Sequence, residues 1–204
     1  FIMDWNFVSD NEIVLSDKYF PEQKDSDGNV RMQIVSSGPD TKFQNIRNGY
    51  FKMINEAERN IYITTPYFVP DDGIFGALKI AALSGIDVRI IIPANPDHPF
   101  VYWASMSYLG ELLEAGVKCY QYNDGFIHSK TVYIDGFVTS VGTANMDIRS
   151  FDLNFETNAF IYDRDITKEH EEQFMKDIEK CTEITKEWYD KRTAWFRVKE
   201  SISR

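Results

Sequence analysis

The run DVRIIIP (87–93) is a continuous apolar strand stopped by Pro93. It lies between two segments with helical character, GIFGALKIAALSG (73–85) and FVYWASMSYLGELLEAG (100–116), each ending at a glycine suited to a helix C-cap. A β-branched and aromatic run, NIYITTPYF (60–68), precedes the first helix, and VKCYQY (117–122) follows the second. Strands alternating with helices in this way build βαβ units, whose parallel strands are covered by helices on both faces. The expected class is therefore α/β, with a mixed, mainly parallel central sheet flanked by helices on both faces.

The remaining segments extend this pattern. RMQIVSS (31–37) reads as a short strand. Phe43, Ile46, Tyr50, Met53, Ile54 and Ala57 fall at helical spacing. FVTSVGTAN (137–145) is a further strand, followed by LNFETNAFIYD (153–163). From Asp165 to Arg192 the chain reads as one long charged helix, with apolar points at Phe174, Ile178, Cys181, Ile184 and Trp188. Residues 16–30, polar and carrying Pro21 and Gly28, read as a linker or long loop.

Composition narrows the function classes. With 204 residues, 43% hydrophobic and 26% charged, the chain has the profile of a globular protein. Its formal net charge of -10 argues against nonspecific binding of nucleic acid and gives no general pull toward anionic membranes. Cys119 and Cys181 lie far apart without metal-ligand neighbours and read as reduced thiols. No apolar run approaches the ~18–20 residues of a membrane span, and no signal peptide is visible. The opening FIMDWNFVSD lacks an initiator methionine and is apolar, which points to a piece of a longer protein.

The chemistry is concentrated in FIHSKTVYIDG (126–136), which sets His128, Lys130 and Asp135 in the pattern H-x-K-x4-D. On a strand His128 and Lys130 project to one side, framed by Ile127, Val132 and Ile134. A histidine beside a fixed cation suits work on an anion, because the cation stabilises charge developing on phosphoryl oxygens. A partly exposed strand with isolated polar residues has the same local pattern. Asn145, in GTANMDIRS, and Glu156, in LNFETN, lie seventeen and twenty-eight residues beyond His128. An amide can donate to a phosphoryl oxygen, and a carboxylate can hold an imidazole in one tautomer. Asn145 is equally suited to a turn or cap, and Glu156 to the surface of an edge strand.

Taken together, H-x-K-x4-D, G-[ST]-x-N and Glu at these spacings resemble the second HKD motif of the phospholipase D superfamily. SSGPD (36–40), YITTPYFVPDD (62–72), IIPANPDHPFVYWAS (91–105) and GTANMDIRSFDLNFETN (142–158) are similar to the C-terminal half of bacterial cardiolipin synthases. The resemblance covers about residues 1–198. It implies residues 1–30 as the remnant of a preceding domain plus linker, and 31–204 as a second phospholipase D-like domain.

The implied activity joins two phosphatidylglycerol molecules into cardiolipin and releases glycerol through a phosphatidyl-histidine, with no metal and no cofactor. The chain has three histidines, and neither His98 nor His170 has a lysine two residues on. The resemblance therefore makes His128 the acid/base partner of a nucleophilic histidine in the missing first half. Lys130 and Asn145 would hold the phosphate, Glu156 would orient His128, and Arg149 would be a second phosphate contact or a structural ion pair. Asp135 belongs to the catalytic motif, with a part that is structural or tunes charge rather than acting on substrate. His98, before the aromatics Phe100, Tyr102 and Trp103, suits either a substrate-entrance loop or a plain lead into a core helix.

The implied partners are phosphatidylglycerol and related phospholipids, the first HKD domain of the parent chain, and the membrane surface reached through that parent. Nucleic acid is not expected. The parent would reside at the bacterial cell membrane, with this piece itself soluble. Two alternatives stay open: another superfamily phosphodiesterase that pairs as a homodimer to assemble two histidines, and a noncatalytic domain that binds phospholipid.

Overall fold

The computed structural model describes residues 1–22 and 28–204. In chain order the first elements are α1 (Ile2–Val8), β1 (Arg31–Ser37), α2 (Asn45–Glu56), β2 (Asn60–Thr64), β3 (Phe68–Val69) and α3 (Asp72–Leu83). They are followed by β4 (Asp87–Pro93), α4 (Pro99–Glu114), β5 (Lys118–Tyr122), β6 (Thr131–Ile134), β7 (Val138–Gly142) and β8 (Met146–Asp147). The last are α5 (Ile148–Asp152), β9 (Glu156–Tyr162), α6 (Arg164–Ile178), β10 (Cys181–Ile184), α7 (Lys186–Asp190) and α8 (Ala194–Ser203). Of the linker expected over residues 16–30, the stretch 23–27 lies outside the described residues. Just before it stands a short 3-10 turn, Asp17–Tyr19.

Eight strands form one sheet in the order β1-β9-β7-β6-β2-β4-β5-β10. The continuous apolar run of β4 is explained by its central place. Ile90 and Ile92 face a core shared with Ile46 of α2, Leu78 of α3 and Leu109 of α4. Ile91, between them, faces the other core with Phe174 of α6. Each of these isoleucines is at most 2% exposed, and burying such a side chain is worth about 1.5–3 kcal/mol. Helices thus cover both faces, as the sequence leads one to expect.

The helix ends follow their local chemistry. The Asp71 carboxylate accepts from the amides of Gly73 and Ile74 and starts α3. Gly85 and Gly116, at φ 93° and 96°, close α3 and α4 in a conformation that costs glycine nothing.

Two expectations need correction. The sheet is mixed, but only β2–β4 and β4–β5 pair in parallel, while the other five pairings of the large sheet are antiparallel. The Asp135-Gly136 turn accounts for part of this. Both residues have left-handed φ, 56° and 61°, which closes a tight hairpin and forces β6 and β7 to run in opposite directions.

The second correction concerns the tail, which is not one helix. α6 ends at Ile178, and Cys181 to Ile184 form β10, antiparallel to the otherwise open edge of β5. Its apolar points at 178, 181 and 184 fit helical spacing. Thr182 and Ile184 are nevertheless β-branched, and Ile184, 2% exposed, gains more by joining the sheet.

Candidate active site

The strand register brings the chemistry-bearing segments to one edge of the sheet. β2 and β4 end there at Thr64 and Pro93, β6 starts there at Thr131, and β7 ends there at Gly142. β9 begins at the same edge with Glu156, opposite Ser37 at the end of β1. The segments after β2, β4 and β7 and those before β6 and β9 therefore converge. Crevices outside the carboxyl ends of parallel strands are the usual place for a ligand in α/β sheets.

His128 and Lys130 precede β6 instead of lying within it. Both neighbours of β6 run out at this point: β2 gives way to Thr65-Pro66, and β7 ends at Gly142, whose amide reaches the Lys130 carbonyl at 3.3 Å. His128 is exposed, its ring 5.5 Å from that of Phe126. Lys130 is half-buried, and its ammonium donates to the His128 carbonyl at 2.8 Å. Burial pushes the lysine below its usual range, and the negative charges of Glu156, Asp147 and Asp97 oppose that shift. The expected apolar frame divides: Val132 and Ile134 belong to the α2/α3/α4 core, whereas Ile127 packs against the other core.

Asn145 is buried, held beside α5 by Ser150, whose Oγ accepts from the Asn145 backbone amide at 3.3 Å and from Nδ2 at 3.2 Å. Oδ1 has no partner among the described residues. Arg149 is exposed and makes no side-chain hydrogen bond or ion pair among the described residues, so its guanidinium is free to meet an anion.

Glu156 is 8% exposed and lies on an interior strand, which removes the edge-strand alternative. Its carboxylate accepts from Asn154 Nδ2 at 3.1 Å, and no hydrogen bond joins it to His128 among the described residues. Asp135 sits elsewhere. It is five residues along the strand from Lys130, roughly 16 Å at about 3.3 Å per residue, in the turn at the opposite edge. Its carboxylate accepts from the amides of Glu58, Arg59 and Asn60 at 2.8, 2.8 and 2.9 Å, and its carbonyl accepts from the Arg59 guanidinium. That environment is structural.

A cleft of about 520 Å³ opens at this convergent edge, walled by Tyr67, His98, Phe100, Asn145, Asp147 and Arg149. His128 and Lys130 are not part of its wall. A second cleft, about 470 Å³, lies between α2 and the β6–β7 hairpin; it includes Asp135 and none of the expected phosphate-handling groups.

Several supporting residues were not singled out from sequence. Tyr67 donates to Asp97 at 2.6 Å, fixing the loop that carries His98. Thr65 Oγ1 accepts from the Met146 amide at 3.1 Å, and β3 pairs with β8, which tie the loop after β2 to the segment after β7. Asn158 is fully buried. It accepts from the Ala144 amide at 3.2 Å and donates to Tyr50 and Ser140 at 2.7 and 3.0 Å. Asp147 caps α5 through the Ser150 amide, and burial pushes its carboxyl above the usual range. The only local hint of these roles is polar residues where the pattern calls for core.

The fold has solved counterparts. The *Salmonella typhimurium* phospholipase D family member Nuc is 18% identical, with TM-score 0.66, and the match covers 77% of this chain and 99% of Nuc. Phosphatidylserine synthase of *Haemophilus influenzae* is 17% identical, also at 0.66, over 85% of this chain and 44% of its own. The sheet and its convergent edge thus share the fold of these two proteins. Residues 50–178 match the family model described as the phospholipase D-like domain of cardiolipin synthase, and the chain belongs to that family.

Cardiolipin synthases of *Oceanobacillus iheyensis* and *Listeria welshimeri* are 52% and 54% identical over the whole chain. The major cardiolipin synthase of *Bacillus subtilis* is 53% identical. The chain spans 42% of the length of each of these three relatives.

Proposed function

We propose that this chain is the C-terminal catalytic half of a cardiolipin synthase, supplying one of two histidines for transfer of a phosphatidyl group between phosphatidylglycerol molecules. His128 protonates the departing glycerol alkoxide and then deprotonates the incoming hydroxyl. A histidine of the first half forms the phosphatidyl-histidine. Splitting the displacement in two lowers each barrier, and acid–base assistance adds roughly 10²–10⁴-fold. Lys130, Asn145 and Arg149 stabilise the phosphoryl oxygens, and the Glu156 charge favours the ionised form of Lys130. Residues 1–30 are read as the end of the first half plus linker, and the parent as a protein of the bacterial cell membrane.

The observation that carries this reading is the single H-x-K motif at the convergent edge of a cardiolipin synthase family domain, with Asn145 and Arg149 in a segment that meets the same edge. In the full-length parent, His128→Ala is expected to abolish cardiolipin formation from phosphatidylglycerol, followed by thin-layer separation of the lipids, while circular dichroism stays unchanged. Near-normal turnover in that variant overturns the assignment. Added glycerol should suppress product, since the transfer is reversible. A second reading, in which two copies pair to assemble two histidines, is favoured by one fact: in Nuc a domain of this fold accounts for nearly the whole chain.

A further inference from the structure

One face of α8 has no partner among the described residues. Its inner side packs on α4, with Phe196 edge-on to Tyr102 at 6.4 Å and Glu200 buried against Arg192. On the outer side Trp195, Val198, Lys199 and Ile202 fall within an arc of about 100° at helical spacing. Trp195 and Ile202 are 67% and 73% exposed.

This stripe runs on into the cleft. The Lys199 ammonium lies 4.6 Å from the Trp103 ring and 5.7 Å from that of Trp195. Trp103 meets Phe100 edge-on at 5.3 Å, and Phe100 walls the cleft together with Arg149 and with Ser203 of α8. Phe100 and Leu153, on the cleft wall, are 65% and 66% exposed.

Among the described residues of α8, the stripe carries one charged side chain, and it is basic: Lys199. Arg197 and Arg204 fall on the other side of the helix, where Arg197 donates to the Asp190 carbonyl and Arg204 lies 3.5 Å from Glu111, and Glu200 is buried against Arg192. Tryptophan and lysine on an exposed amphipathic stripe are the composition of a membrane interface, where rings sit at headgroup level and ammonium groups reach phosphates.

We propose that α8, with the first turns of α4, docks on the surface of an anionic phospholipid bilayer and so seats the mouth of the cleft at headgroup level. The choice of a lipid surface rests on the proposed phospholipid substrate. A cleft of about 520 Å³ accommodates a headgroup, and the apolar rim is where acyl chains leave it. Charge complementarity and continuity with the cleft favour the bilayer over another protein.

The test uses the full 204-residue chain with vesicles of equal parts phosphatidylglycerol and phosphatidylcholine, and with phosphatidylcholine alone. Co-sedimentation is expected with the anionic vesicles and not with the neutral ones. Brominated acyl chains should quench tryptophan fluorescence, and Trp195→Phe should reduce that quench, the remainder coming from Trp103, whereas Trp5→Phe should leave it unchanged.

Each basic residue near an anionic surface is worth roughly fivefold in partitioning. Lys199→Glu, a change of two charges, should thus lower binding by roughly 25-fold. Trp195→Ser with Ile202→Ser should lower it by about tenfold or more. All these side chains are exposed or half-buried, so circular dichroism should match the parent sequence.

Absence of anionic-vesicle binding overturns the proposal. So does lipid-free self-association that Trp195→Ser abolishes, which would make the stripe an interface between copies. Failure of brominated lipid to quench Trp195 in the full-length parent during active transfer would mean that another part of the protein covers the stripe, and also overturns it. Binding is read without turnover. An inactive parent that still docks through Trp195 refutes only the proposed function, whereas an active parent that does not dock refutes only this inference.

Discussion

Replacing Asp135 with alanine separates a structural role from a catalytic one. The carboxylate accepts three backbone amides, those of Glu58, Arg59 and Asn60, at 2.8 to 2.9 Å. It thereby clamps the turn before β2 to the β6–β7 hairpin. Fully buried hydrogen bonds to a charged group are worth about 1.5–3 kcal/mol each. Two of these three are solvent-exposed, and the released amides can rehydrate, so about 1 kcal/mol each is the appropriate scale. Alanine at φ 56° adds about 1 kcal/mol of left-handed strain.

Asp135→Ala should therefore cost about 3–4 kcal/mol, a fall of roughly 7–14 °C in Tm for a chain of this size. Asp135→Gly removes the strain and should recover about 1 kcal/mol of the loss. Asp135→Asn tolerates the left-handed turn, keeps one acceptor oxygen, and should fall between glycine and wild type. Urea unfolding of the chain measures all three. In the full-length parent, turnover per folded molecule should stay within a few-fold of wild type. Unfolding of Asp135→Ala within about 0.5 kcal/mol of wild type would refute the clamp. A stable variant with turnover reduced by orders of magnitude would return Asp135 to the chemistry.

Other outcomes follow from the same structure. The chain alone should lack synthase activity, since it has one H-x-K motif; robust cardiolipin production by a sample shown by sedimentation to be monomeric would contradict this. Asn158→Ala should lower stability by about 2–4 kcal/mol, because it leaves the Ala144 amide buried without a partner and takes a donor from the buried Tyr50 and Ser140 hydroxyls; a denaturation midpoint equal to wild type would show that the network carries nothing. Burial opposes ionisation of Asp71, but the hydrogen bonds and charge of Arg47 together with the Ile74 and Gly73 amides outweigh it and lower its pKa. Its contribution is present above the ordinary carboxylate value and lost as pH falls from about 4 downward. Arg47→Met should make the acid limb of a stability–pH curve shallower, and an unchanged limb would exclude the pair as its source.

Much of the fold was legible from local pattern. β1 and β4 have the bounds expected of them, and α2, α3 and α4 differ from expectation by one or two residues. Their signals are short-range: apolar periodicity, a carboxylate before a helix, a glycine after it. The tail was misread because apolar points at 178, 181 and 184 satisfy helical spacing, and the open edge of β5 that recruits β10 is distant in sequence. Likewise β6 was expected to include His128 and Lys130. Its true start depends on where β2 and β7 cease to offer partners.

For the candidate site, residue types and spacing single out His128, Lys130, Asn145, Arg149 and Glu156, and the resemblance they carry implies phosphoryl chemistry. Their places were not readable along the chain. Glu156 resembles a surface charge until β1 and β7 flank its strand. Asp135 shares a motif with Lys130 yet stands at the other edge of the sheet. Asn158 shows its importance only when Tyr50, Ser140 and Ala144 surround it. Chemical identity is carried by each residue, and secondary structure by near neighbours. Burial, strand partners and the convergence of loops at one edge arise from pairings between residues far apart in the chain, more than a hundred positions in the case of Asn158 and Tyr50.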